Sequence, residues 1–220
     1  MGCHPALSPT RVRSTVLRAA HLLCLLCLVA LPPQGAIAYD SPLRQVFGTP
    51  DHDPAITTPD ALLGFALGSR AASAEEINAA MALWAQQSDR VQSVVYGHTH
   101  QGRPLRVAFV SSPANLARLD AIRSELAELA DPRGTGEARA REIIARAPAV
   151  AYIAHSIHGN ETSGGDAALA LVYHLAAARS TEVQALLADT VIIIDPLLNP
   201  DGRARAVSDL RGFRSHVPSY

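Results

Sequence analysis

The sequence predicts an α/β fold: a mixed, largely parallel central sheet flanked by helices and incomplete at the C-terminus. Three observations carry this. Residues 149–154 and 190–195 are apolar runs without polar alternation, the pattern of strands buried on both faces. A helical stretch lies between them, giving a strand–helix–strand unit with parallel strands and a right-handed crossover. Upstream, residues 91–96 and 105–110 flank a polar loop and read as a hairpin.

Composition suits a core. The 220 residues are 48% hydrophobic and 18% charged, which argues against disorder. A net charge of −1 leaves no basic footprint, so nucleic acid is excluded as a partner. Every basic side chain is Arg, since Lys is absent.

Taken in order, residues 1–38 have the form of a signal peptide. Arg11, Arg13 and Arg18 precede an apolar run over 19–31, and Ala36-Ile37-Ala38 supplies an A-x-A cleavage site. The run is shorter than the ~20 residues of a spanning helix, so no stable membrane anchor is expected after cleavage. A secreted or periplasmic location follows. Cys3, Cys24 and Cys27 all fall in this leader, so the mature chain would have no disulfide. The leader carries three of the 19 basic residues and none of the 20 acids, leaving the remainder at −4.

Residues 39–72 are rich in Pro, Asp, Thr and Gly and read as an extended lead-in, with one short helix near 61–67. Ser73 and Glu76 form a capping box, and Ile77, Ala80, Met81 and Trp84 share a helical face behind it. The hairpin follows. Its loop holds His98 and His100, two residues apart with no third ligand nearby, and these read as exposed loop histidines. Residues 113–130 have helical spacing, 131–136 break it, and 137–147 form an Arg-rich helix with a solvated face. Ser163 and Asp166 are placed to cap the helix between the two apolar strands.

Chemistry concentrates where those strands end. The first leads into His158-Gly159-Asn160-Glu161, and the second into Asn199-Pro200-Asp201-Gly202. Parallel strands put both at one carboxyl edge, where such sheets place ligands. A ring nitrogen and a carboxylate three residues apart can meet one cation if the backbone turns, which Gly159 permits, and both are zinc donor types. The spacing alone also fits a loop His beside a Glu favoured by the helix dipole. Residues 199–202 taken alone could be a simple turn.

The ordered set is more specific: Gly97, Thr99, Gly102, Arg103 and Pro104, then His158 and Glu161, then Asn199, Pro200, Asp201 and Gly202. It resembles the zinc carboxypeptidase family, the carboxypeptidase A and B superfamily, from about residue 73 to about 214. The resemblance implies a Zn2+ centre in which His158 and Glu161 are the first two of three protein ligands. It implies action on peptide or protein C-termini. Counted from Asp201, Arg211 and Arg214 match the family's arginines, and Arg214 is the candidate catalytic group that steadies the developing oxyanion, a role suited to a permanently charged fork of donors.

In the family the third ligand, the carboxylate-gripping Asn-Arg pair, a pocket Tyr and the catalytic Glu follow the region matched here. His216 lies too near N-P-D-G to be that third ligand. The expectation is therefore the N-terminal portion, 73–220, of a catalytic domain, inactive by itself, with exposed apolar strand edges. Two other functions remain open: a related zinc amidohydrolase acting on cell-wall peptides or acylated amino acids, and a non-catalytic truncated binding domain.

Overall fold

Four strands form one sheet in the order β1 (Val91–His98), β2 (Pro104–Val110), β4 (Thr190–Asp195) and β3 (Ala149–Ala154). The computed structural model describes residue 2 and residues 42–48, 51–131 and 133–212. The expected cut site after Ala38, Arg214 and His216 lie outside the described residues, as does all of the expected leader but residue 2. Residues 42–212 belong to one unit, Asp40–Tyr220.

The mixed α/β class is as expected, with parallel pairing between β3 and β4, in register from Ala149↔Thr190 to Ala154↔Asp195. The β1–β2 and β2–β4 pairs are antiparallel, so among the described strands parallel pairing is confined to one ladder. The hairpin makes the first of these. The second arises because β2 inserts beside β4, pairing Ala108 with Ile194.

Side chains of β4 alternate between two buried faces. Ile192 and Ile194 join the core with helix α3 (Ala74–Gln87) and helix α7 (Thr162–Ala177). Trp84, Ile77, Met81, Leu169 and Val172 fill it, and lead-in residues Ile56, Leu63, Leu67 and Ala72 are buried in the same cluster. Val191 and Ile193 face the other way, toward a cavity of about 700 Å³ beneath helix α5 (Leu119–Ala130).

Several expectations change. Strand β3 is not buried on both faces: Val150 is 43% and Tyr152 61% exposed, so the face that carries them is incompletely covered. The lead-in carries two short helices, α1 (Pro42–Phe47) and α2 (Pro59–Leu63), the second overlapping the predicted one. The helix predicted over 113–130 is two, α4 (Pro113–Leu116) and α5. Near the break Asn115 donates inward to Ala188 O and Leu187 O, which anchors α4 to the end of helix α8 (Thr181–Asp189). Helix α6 (Glu137–Arg146) matches its predicted span. No helix of the described residues is long and apolar enough to cross a membrane.

Candidate metal centre

Backbone pairing continues past both strand ends and sets the floor of the site. The His155 N–H donates to Asp195 O at 2.9 Å, the Leu198 N–H to His155 O at 3.0 Å, and the Asn199 N–H to Ser156 O at 3.2 Å. Ser156 is buried with φ of 53°, a left-handed conformation unusual for a residue with Cβ, and it turns the chain out of β3. The loop then closes with the Glu161 N–H donating to His158 O at 3.2 Å. That turn puts Glu161 at the N-cap position of α7.

The N-P-D-G motif is more than a turn. It opens helix α9 (Pro200–Gly212): Asn199 Oδ1 accepts from the Gly202 N–H at 2.8 Å, and Asn199 O accepts from the Arg203 N–H at 3.0 Å. Asn at the cap with Pro at the first helical position is the expected chemistry for a helix start. Asn199 Nδ2 also donates to Ile157 O at 3.2 Å, fixing the residue before His158. A Cβ on Gly159 would stand 2.0 Å from the Gly202 carbonyl carbon, so the two motifs touch backbone to backbone.

Asp201 ties in the hairpin. It accepts from Thr99 Oγ1 at 2.7 Å, from the Gln101 N–H at 3.2 Å and from Arg103 Nη1 at 3.0 Å, while Arg103 Nε reaches Glu75 at 3.2 Å. Burial by itself would raise the Asp201 carboxyl, but these donors together outweigh it and hold the group below its usual range. Thr99, Gln101 and Arg103 of the loop therefore belong to one interlocked unit with N-P-D-G, and the Gly102 N–H closes the loop onto Thr99 O at 3.0 Å.

His158 and Glu161 are both exposed, and neither side chain is hydrogen-bonded to another described residue. Sharing one tight turn, they fit zinc as two protein donors. Among the described residues no group of three or more His, Cys, Asp or Glu could hold a metal. His98 and His100 are exposed as expected, but His98 is the last residue of β1, paired with Pro104, and only His100 lies in the loop. Arg205 is exposed, and Arg211 is engaged by Glu76 at 2.9 Å.

Four residues have roles that the sequence did not reveal. Arg203 is fully buried, 0% exposed, with Nη2 donating to Asp166 Oδ1 at 2.7 Å. Asp166 in turn does not cap α7; it accepts from Arg203 and from the Ala72 N–H at 3.1 Å. Burial pushes the Asp166 carboxyl up, against the pull of Arg203. Asp195 is 2% exposed and accepts from Tyr96 Oη at 2.6 Å, and burial together with that bond pushes the Tyr96 phenol up. Spacing held one clue, since Pro200, Arg203 and Val207 form the buried stripe of α9.

No curated protein matched. Solved structures that match include thrombin activatable fibrinolysis inhibitor (18% identity, 68% of this chain, 31% of that chain, TM-score 0.46). Another is the carboxypeptidase A from Helicoverpa armigera (20% identity, 67% and 32% coverage, TM-score 0.44). The chain spans about a third of the length of these structures. The zinc carboxypeptidase family model matches residues 77–216, well over half of the chain and all three motifs, and the chain therefore belongs to the zinc carboxypeptidase family.

Proposed function

We propose that the protein is a secreted zinc-dependent metallocarboxypeptidase that hydrolyses the C-terminal peptide bond of peptides and proteins. His158 and Glu161 serve as two of its zinc ligands. The observation that carries this is their placement on one tight turn at the carboxyl edge of the sheet, backed by the N-P-D-G helix start. Zinc, when bound, polarises a carbonyl and lowers the pKa of water. His158 would bind through a neutral ring nitrogen and Glu161 as a carboxylate, so protons compete with the metal. Asn199 and Gly159 hold that turn in place. Arg214, outside the described residues, is the proposed cation for the developing oxyanion. The leader over 1–38 supports export.

The test is zinc content and peptide hydrolysis in the full-length protein and its Glu161→Ala variant. Loss of both is expected. Unchanged zinc and unchanged turnover would remove Glu161 from the centre. Amidating the peptide C-terminus should abolish cleavage by a carboxypeptidase; sustained cleavage would point to amidohydrolase action.

A further inference from the structure

We propose that Arg203 is a positioning residue for the metal loop, gripping it on both sides of Glu161. The inference rests on the zinc centre proposed above. Arg203 reaches the loop twice. Its backbone nitrogen lies only 2.3 Å from where a Cβ of Gly159 would sit, so the start of α9 abuts the loop directly at that glycine. Its side chain donates through Nη1 to Thr162 O, the carbonyl immediately after Glu161. Residues 160 and 161 are therefore spanned by one side chain and its own peptide.

The guanidinium is itself held rigidly. Nε donates to Ala72 O at 2.8 Å and Nη2 to Asp166 Oδ1 at 2.7 Å, while the Ala72 N–H donates to the same Asp166 oxygen at 3.1 Å. Ala72, Asp166 and Arg203 thus close a ring of three partners, all from different segments. Gly165 makes room for it: a Cβ there would meet Ile77 Cδ1 at 3.0 Å, Leu197 Cδ2 at 3.3 Å and Arg203 Nη1 at 3.4 Å. A planar fork with fixed donor directions can serve the Thr162, Ala72 and Asp166 acceptors at once, which an ammonium cannot do in the same geometry. Groups that orient metal ligands without touching the metal typically change metal affinity by about 10- to 100-fold when lost.

Arg203→Lys in the full-length protein tests this, because it keeps the charge beside Asp166 and loses the fork. Zinc affinity is measured by competition with a chromogenic chelator, and donor geometry by the visible absorption of the cobalt(II) form. The expected result is cooperative melting with zinc binding weakened about ten-fold or more and altered cobalt bands. A zinc Kd within about two-fold of the parent, with the same cobalt spectrum, overturns the proposal. If Arg203→Lys does not fold, Asp166→Asn replaces it. That variant preserves volume while loosening the guanidinium, and the same weakening is expected and the same two results decide. Glu161→Ala is the control: if it binds zinc as the parent does, the zinc centre itself is wrong, independently of how Arg203 behaves.

Discussion

At the scale of single residues, Gly159 decides whether the metal loop can form. Its conformation needs no left-handed backbone; what it needs is empty space. A methyl group there would fall within 2.0–2.4 Å of Gly202 C, Arg203 N and Gly202 O, all backbone atoms that cannot swing away. Gly159→Ala is therefore expected to destabilise the protein by ~1–3 kcal/mol, the range for forcing an extra carbon into a filled site, read as a shift of the urea midpoint. A midpoint equal to the parent's would mean that the loop and the N-P-D-G helix start do not touch. The glycine was visible in the sequence as a turn-former. Its contact partner was not, because residue 202 lies 43 positions away and only the parallel pairing of β3 with β4 brings the two together.

At the scale of elements, the two expected helix caps had different fates. Ser73 does cap α3: the Glu76 N–H donates to Ser73 Oγ at 3.1 Å, and the Ser73 N–H donates to Glu76 Oε2 at 2.6 Å. At α7 the same S-x-x-acid spacing is unused, since Asp166 turns inward to Ala72 and Arg203 and Ser163 is left exposed. Ser73→Ala should thus lower stability by ~1 kcal/mol, and Ser163→Ala should change it by less than about 0.5 kcal/mol, both measured by thermal or chemical unfolding. Equal effects would refute this distinction. A local pattern specifies a cap only when no buried charge competes for the acid, and Arg203 supplies such a charge.

At the scale of the whole molecule, the lead-in is joined to the end of α7 through paired imidazoles. His52 Nε2 and His174 Nδ1 are 3.0 Å apart, Phe47 stacks on the His174 ring at 4.0 Å, and His52 meets Tyr173 edge-on at 4.8 Å. Burial pulls both rings below the ordinary value of 6.5; at His52 the Asp51 charge opposes this, and at His174 the neighbouring His52 adds to it. As pH falls through 6.5 the unfolded chain takes up protons that the folded pair resists. The unfolded state then binds more protons, so the stability present above pH 6.5 is progressively lost below it. The urea midpoint should be lower at about pH 5.5 than at about pH 7.5, and His174→Gln should flatten that difference. A slope unchanged by the substitution would place the acid sensitivity elsewhere.

The sequence by itself determined the α/β class, the capped helix at Ser73, the hairpin and the common edge that holds His158, Glu161 and N-P-D-G. Those features depend on short-range spacing, on apolar runs and on motif order, all of which are local properties of the chain. Tertiary structure alone decided that Arg203 is buried, that Asp166 pairs with it, that Asp201 clamps the hairpin loop and that Val150 and Tyr152 are exposed. In each case the outcome turns on which distant segment arrives beside the residue. A guanidinium is a surface charge or an internal clamp according to whether carbonyls and a carboxylate surround it, and only the folded chain brings Ala72, Thr162 and Asp166 to one point.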